Sequence, residues 1–104
     1  MMVVLFRSML VDAPDGYAEM AQEMEDLAKT MPGFIEVKAF KADDGERLTL
    51  VWWENEETLR GWREHVRHRI AQRTGREKWY RYYKLDVAEV VRTNAFERRD
   101  AAAT

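Results

Sequence analysis

Apolar positions along the chain change period, from the run of β-forming side chains typical of a strand to the three- and four-residue spacing of a helix. Residues 2–10 predict a first strand. Turn and helix-start signals occupy residues 12–16, and residues 15–30 then predict an amphipathic helix. The apolar stripe of this helix consists of Tyr17, Met20, Met24, Leu27 and Met31. We expect this stripe to be core, or else a flexible lining for a pocket under the helix.

A hairpin is predicted next. Pro32-Gly33 ends the first helix, and residues 34–40 form a second β-rich segment. Residues 47–53 form a third, and the turn at residues 43–46 contains a glycine. Two strands joined by such a short turn are expected to pair antiparallel.

A second helix and a fourth strand complete the pattern. Asn55 is a suitable N-cap, and the helix is predicted to run to about Arg73 with Gly75 at its C′ position. Residues 76–82 are an aromatic connection, and residues 83–92 predict the last strand. The order β-α-β-β-α-β predicts an α+β, ferredoxin-like fold. We assign residues 1–93 to this domain and residues 94–104 to a tail that is either mobile or in contact with a partner.

The predicted sheet is apolar on both faces. In the third strand, Leu48, Leu50 and Trp52 alternate with Thr49, Val51 and Trp53. Two helices cover only one face of a four-stranded sheet, so the other apolar face needs a different cover. A homodimer with its sheets packed face to face would bury it.

Composition narrows the class of protein. The chain has 104 residues, of which 46% are apolar and 35% charged, and it contains no cysteine. Disulfides and thiol chemistry are therefore excluded, and a reducing cytoplasm is the expected location. No stretch approaches the ~20 apolar residues of a membrane span, so no membrane partner is expected.

Charge is unevenly distributed. Residues 1–59 carry 5 Lys/Arg and 13 Asp/Glu, whereas residues 60–84 carry 9 and 2. This basic block is either a solvated helix face or a surface for an anion. The aromatic and basic residues of segment 76–82 could stack on single-stranded nucleic acid, but no recognised binding motif accompanies them. We expect a lid or dimer contact there, and no nucleic-acid partner.

Trp52, Trp53 and Trp62 are the main candidates for chemistry, because three flat side chains within eleven residues can wall a cavity for an aromatic ligand. They can equally be core. Trp52 and Trp53 point to opposite faces, so at most one can line a pocket on the helix side. His65 and His68 lie on the second helix. If that helix is straight, His68 lies opposite the apolar face and His65 at its flank, and the pair has no evident third metal ligand.

Several of these residues resemble the antibiotic biosynthesis monooxygenase (ABM) domain family. The resemblance covers roughly residues 3–92 and rests on Met31-Pro32-Gly33-Phe34, Val51-Trp52-Trp53-Glu54 and Trp62. The stretch from Trp62 to Tyr80 is similar to a little-characterised bacterial branch. The resemblance implies a dimeric α+β barrel. The resemblance implies more than one possible reaction, because some family members oxidise polyketide phenols with O₂ and no cofactor, and others degrade haem.

The haem-degrading branch uses an asparagine on the first strand, a tryptophan on the second helix and a histidine about ten residues later. Trp62 matches the tryptophan, whereas Phe6 and Gln72 occupy the other two positions. Glutamine is a poor iron ligand beside imidazole. This pattern does not favour haem degradation of that type.

The resulting hypothesis is a cofactor-independent monooxygenase acting on an aromatic or conjugated small molecule. It needs flat walls, a base and a cation near the substrate anion. The residues expected to bind substrate are Trp62, Trp52, Tyr17 and Phe6. Arg7 is expected to stabilise an anion and His65 to act as the base, with no cofactor and no metal. The alternatives are a non-catalytic dimeric small-ligand-binding or accessory protein, and a haem-binding or haem-degrading protein.

Overall fold

The computed structural model describes residues 1–98, which form one antiparallel four-stranded sheet with three α-helices. The elements are β1 (Met2–Leu10), α1 (Tyr17–Ala28), β2 (Phe34–Lys41), β3 (Arg47–Trp53), α2 (Glu56–Arg63), α3 (Val66–Thr74) and β4 (Tyr80–Glu89), with a π-helical turn at Gly75–Trp79. The strand order is β2-β3-β1-β4. The predicted ferredoxin-like α+β fold is confirmed.

Local signals place the element ends where the sequence predicts them. The Asn55 side chain accepts a hydrogen bond from the Thr58 N–H at 2.9 Å, and the Thr58 hydroxyl accepts one from the Asn55 N–H at 3.3 Å. This reciprocal cap satisfies two N–H groups that a helix start leaves free. Gly33 has a φ of +83°, and a Cβ there would lie 2.4 Å from the Thr58 side chain. Only glycine fits this turn between α1 and β2.

The predicted second helix is two helices, which corrects the sequence expectation. α2 ends at Arg63, and His65 adopts an extended conformation with φ −62° and ψ 133°. Its Nδ1 accepts a hydrogen bond from the Arg67 N–H at 3.1 Å, so His65 is the N-cap of α3. The break changes which face α3 turns toward the sheet.

The connection before β4 also differs from the prediction. Gly75 has φ −59° and ψ −46°, so the chain does not turn into a left-handed cap but continues into the π-helical turn. β4 consequently begins at Tyr80, three residues before the predicted Tyr83. A Cβ on Gly75 would lie 2.4 Å from the Tyr80 ring, so this glycine is needed for close approach and not for its φ.

Pairing register decides which side chains face the helices. Val4 of β1 lies opposite Val51 of β3 and Val87 of β4, and Trp53 lies opposite Met2. Val4, Trp53, Ala28, Leu59 and Trp62 form the buried core between sheet and helices. The opposite, outer face carries partly exposed apolar side chains in its centre, namely Val3, Leu5, Leu48, Leu50 and Trp52.

The end of the chain extends beyond the sheet. Residues 90–98 contain no helix or strand, and the side chains of Val91 and Phe96 are 94% and 82% exposed. Residues 99–104 of the predicted tail lie outside the described part of the chain. Within residues 1–98, none of the helices combines the length and apolar character that crossing a membrane requires.

Candidate active site

A cavity of about 830 Å³ lies between the inner face of the sheet and the helices. Strands β1 to β4 contribute its floor, including Val4, Val37, Val51 and Val87. Helix α1 contributes Met20 and Met24 from the predicted methionine stripe, and α2, α3 and the π-helical turn contribute the remainder. Mostly apolar pockets of 300–1,000 Å³ with a few polar groups are typical of small-molecule sites.

Trp53 and Trp62 form one wall of this cavity. Their ring centroids are 5.9 Å apart with planes inclined by 26°, and Phe34 packs edge-on against Trp53. Trp53 is fully buried, and within residues 1–98 its Nε1 has no hydrogen-bond partner. A buried N–H without a partner costs about 1–3 kcal/mol. Trp62 lies in the wall, as the sequence predicts.

Trp52 does not line the cavity, which corrects the sequence expectation. Trp52 pairs with Val3 of β1 and with Glu36 of β2, on the outer face of the sheet. Adjacent strand residues point to opposite faces, so Trp53 occupies the inner position. The two tryptophans could not be distinguished before the register was known.

His68 lines the cavity, contrary to the expectation for a straight helix. Its ring stacks on Trp62 with centroids 4.3 Å apart. The break at His65 reorients α3 and turns His68 inward. Burial lowers the pKa of the His68 imidazole, and the backbone carbonyls of Arg63 and Trp62 offset only part of this effect. The neutral form therefore predominates near pH 7. Its Nδ1 is buried and, within residues 1–98, has no hydrogen-bond partner.

His65 and Arg7 do not lie where the predicted base and cation should be. His65 caps α3 through its Nδ1 and is not part of the cavity lining. Arg7 lies on the outer face, where its Nε donates to Glu46 Oε1 at 3.0 Å and Tyr82 donates to Glu46 Oε2 at 2.6 Å. The hydrogen bond from Arg7 lowers the pKa of Glu46, and the one from Tyr82 lowers it further. The structure therefore places His65 at the start of α3 and Arg7 on the sheet face away from the cavity, and neither lines it.

A second aromatic cluster forms the other end of the cavity. Phe6 and Tyr17, two of the predicted site residues, line it together with Trp79, Tyr80 and Tyr83. The Tyr80 ring centroid lies 5.6 Å from Phe6, 6.0 Å from Tyr17 and 5.8 Å from Tyr83. Trp79 Nε1 donates to the Asp15 carbonyl at 2.8 Å, which attaches the π-helical turn to the start of α1.

Tyr80 lines the cavity, whereas the sequence predicted a lid or dimer contact for segment 76–82. The only sequence signal was the aromatic density of residues 76–82, which has several explanations. Burial strongly raises the pKa of the Tyr80 hydroxyl, and the neighbouring Tyr17 hydroxyl raises it further. The hydroxyl therefore stays protonated and can donate a hydrogen bond to an anion.

The charged side chains of the lining are mainly basic. They comprise three arginines, Arg47, Arg63 and Arg76, and one carboxylate, Glu25. Glu25 is engaged outside the cavity by Lys29, whose Nζ lies 3.5 Å away. Among residues 1–98 no group of three or more His, Asp or Glu side chains is placed to hold a metal ion.

Residues 2–74 match the model of the antibiotic biosynthesis monooxygenase family. The chain belongs to this family. It is 35% identical over 94 residues to the uncharacterized protein YqjZ of Bacillus subtilis (strain 168), a match that covers 90% of this chain and 82% of that protein. It is 33% identical over 89 residues to jasmonate monooxygenase ABM of Pyricularia oryzae, covering 81% of this chain and 41% of that protein.

Solved structures share the fold of this antibiotic biosynthesis monooxygenase family member. One is SnoaB, a cofactor-independent oxygenase from Streptomyces nogalater, with a TM-score of 0.74 at 12% identity. The similarity covers 88% of this chain and 94% of that one. The resemblance carried by Met31-Pro32-Gly33-Phe34, the end of β3 and Trp62 is thereby confirmed as family membership.

The cavity contains the three positions that were compared with the haem-degrading branch. Phe6, Trp62 and Gln72 all line the cavity, so the fold brings the three positions together. Phe6 and Gln72 still differ from the asparagine and histidine of that branch. The cavity histidine of this chain is His68, one helical turn before Gln72. The matched residues 2–74 end before the π-helical turn, so Tyr80 lies beyond them.

Proposed function

We propose that this protein is a cofactor-independent monooxygenase that oxidises an aromatic or conjugated small molecule in the cavity. The observation that carries the proposal is the 830 Å³ cavity in which a neutral imidazole, His68, stacks on the aromatic wall at Trp62. The names of two similar proteins, a jasmonate monooxygenase and a cofactor-independent oxygenase, support the reaction class.

The reaction needs no electrons from outside the substrate. A base removes a proton from an activated CH₂ or phenol, and the resulting anion transfers an electron to O₂. Combination of the two gives a hydroperoxide, which loses water to leave a carbonyl. The balance is R₂CH₂ + O₂ → R₂CO + H₂O, so one oxygen atom enters the product and the substrate itself is the reductant. The protein has to supply a base, a way to stabilise the anion, and walls that exclude water.

Each requirement has a candidate in the cavity. His68 is the proposed base, because its imidazole lines the cavity and burial keeps it neutral. Arg63 is the proposed cation for the substrate anion, because it follows Trp62 in α2 and lines the cavity without an ion-pair partner within residues 1–98. Trp62 is the proposed wall for the substrate ring, with Phe6 and Tyr17 at the other end. These roles replace those predicted for His65, Arg7 and Trp52.

We also propose that the protein is a homodimer. The centre of the outer sheet face is apolar, and no element within residues 1–98 covers it. A two-fold partner would bury this face and leave the cavity, on the opposite side of the sheet, open to ligand. Analytical ultracentrifugation of the purified protein is expected to give a mass of about twice 12.4 kDa.

Because the chain lacks cysteine, we propose the reducing cytoplasm as its location.

The two histidines provide a matched test of the catalytic assignment. The first step is to screen polycyclic phenols and enolisable ketones for oxygen uptake with an oxygen electrode, and for quenching of tryptophan fluorescence. With a substrate in hand, His68→Asn is expected to reduce kcat about 10²- to 10⁴-fold, the usual contribution of a positioned base. His65→Asn keeps an N-cap oxygen and is expected to leave kcat unchanged.

The same measurements separate the proposal from its alternatives. Loss of activity in His65→Asn with His68→Asn unaffected would refute the assignment of the base. Quenching without oxygen uptake across the panel would favour a non-catalytic ligand-binding protein. A Soret shift on titration with haemin, abolished by His68→Asn, would favour haem binding instead.

A further inference from the structure

Three arginines line the cavity without a carboxylate partner in the described part of the chain. Three other arginines form ion pairs, Arg7 with Glu46, Arg67 with Glu23 and Arg81 with Asp12. The remaining exposed arginines outside the cavity also form none within residues 1–98, namely Arg60, Arg69, Arg73, Arg92 and Arg98. Within residues 1–98 no such ion pair forms at Arg47, Arg63 or Arg76, which are the arginines of the cavity lining. With three arginines and one carboxylate, Glu25, the charged groups of the lining are net positive.

Arg47 and Arg76 lie at the same end of the cavity. The Arg47 guanidinium is 5.8 Å from the centroid of the Tyr17 ring, and the Arg76 Nη1 donates to the Tyr83 hydroxyl at 3.4 Å. Tyr80 lies between them, with its ring 6.0 Å from Tyr17 and 5.8 Å from Tyr83. We call these five residues the tyrosine–arginine end. Two guanidinium groups and three phenol hydroxyls belong to this part of the lining, and all of them can donate hydrogen bonds.

The tyrosine–arginine end is well separated from the tryptophan wall. Arg47 and Trp53 are the first and last residues of β3, and both side chains face the cavity. The six residue-to-residue steps between them span about 20 Å at roughly 3.4 Å per step. The cavity thus has the stacked rings of Trp53, Trp62 and His68 at one end, with Arg63 next to Trp62 in α2, and two arginines with three tyrosines at the other.

We propose that the tyrosine–arginine end binds a carboxylate of the ligand, which makes the substrate an aromatic or conjugated acid whose ring system lies against Trp62. This inference rests on the proposed function and names the class of its substrate. A guanidinium group binds a carboxylate through two parallel hydrogen bonds, and such charge-assisted bonds are about twice as strong as neutral ones. A carboxylate bound there holds the reacting ring at the end where His68 stacks on Trp62.

Two probes that differ only in charge test the subsite. Pyrenebutyrate and its neutral primary amide share a flat ring system and a short chain, and both can quench tryptophan fluorescence from the cavity. A charge-assisted hydrogen bond is worth about 10- to 100-fold in affinity. We expect the acid to bind wild type at least 10-fold more tightly than the amide, with a preference that weakens as salt is added.

Two variants test which residues cause the preference for the acid. In the double variant Arg47→Met/Arg76→Met, the ratio of the affinities for acid and amide should fall close to one, because methionine keeps an apolar stem but removes the charge. Arg69→Met is the matched control, since Arg69 is exposed on α3 and does not line the cavity. It should retain the full preference for the acid. Circular dichroism of each variant checks that it is folded.

The binding results distinguish failure of the carboxylate subsite from failure of the ligand cavity. If acid and amide bind wild type equally, or if the double variant keeps the preference, the carboxylate subsite is overturned. If the amide nevertheless binds, and Trp62→Leu weakens that binding, the proposed ligand cavity still stands. If neither probe quenches the folded wild type, the subsite and the proposed ligand cavity are overturned together.

Discussion

Gly75 offers a sharp test of how the tyrosine–arginine end is built. Replacing it with alanine places a Cβ 2.4 Å from Cε2 and 2.9 Å from Cδ2 of the Tyr80 ring, where ordinary contacts are 3.4–4 Å. The ring must therefore move by about 1 Å or more. Overpacking of this kind costs about 1–3 kcal/mol. The backbone at Gly75 is already right-handed helical, so alanine recovers about 0.4–1 kcal/mol through the unfolded chain.

The midpoints of these two ranges differ by about 1.3 kcal/mol, which is the expected loss in the free energy of unfolding of Gly75→Ala. For a domain of this size, that lowers Tm by at least about 4 °C. Displacement of Tyr80 should also weaken pyrenebutyrate binding. Chemical and thermal denaturation, followed by circular dichroism at one protein concentration, measure the stability change.

Gly61→Ala is the matched control with the opposite expected sign. Gly61 lies inside α2, and a Cβ there would meet no heavy atom within 4 Å. Alanine should stabilise this position by about 0.5–1 kcal/mol. In a Tyr80→Leu background, the penalty of Gly75→Ala should shrink, because the clashing ring is gone. If Gly75→Ala proves as stable as wild type and binds the probe normally, the Tyr80 ring does not lie over Gly75 and the argument fails.

Two further predictions concern α2 and His68. Asn55→Ala removes the side-chain cap on Thr58 and should cost about 1 kcal/mol, a fall in Tm of at least about 4 °C, whereas Asn55→Asp should preserve most of the stability. An unchanged Tm in Asn55→Ala would contradict this. Because burial lowers the pKa of folded His68, the unfolded chain takes up its proton first as pH falls below about 6.5. The free energy of unfolding of wild type, measured by denaturation, should therefore fall as pH drops from about 6.5 to the lower pKa of folded His68. His68→Asn should reduce this fall. A free energy of unfolding that rises on acidification would contradict the predicted direction.

The pattern of elements could be predicted because it depends on near neighbours in sequence. β1 and β3 have the predicted bounds, and Asn55 caps α2 through residues within one turn of it. Gly33 occupies the turn after α1 because its φ is positive. In each case the physical cause lies within a few residues, either a repeat of apolar positions or a single backbone requirement. These signals were sufficient for the order of elements and for the fold class.

Identifying the site residues depended on the pairing of distant strands and on the point where a helix ends. Trp52 and Trp53 were known to face opposite ways, but only the pairing of Met2 with Trp53 and Val3 with Trp52 places Trp53 inside. A shift of one residue would have exchanged them. His68 faces the cavity because the helix breaks at His65, and the periodicity of the segment gives no sign of that break.

The sequence by itself therefore determined the fold class, the apolar character of both sheet faces and the aromatic content available for a cavity. The tertiary structure decided which residues form that cavity, replacing Trp52 with Trp53, His65 with His68 and Arg7 with cavity arginines such as Arg47. The physical reason is the range of the interactions. Helix and strand periods follow from local backbone geometry, whereas strand register, a helix break and the packing of Tyr80 follow from contacts between distant segments.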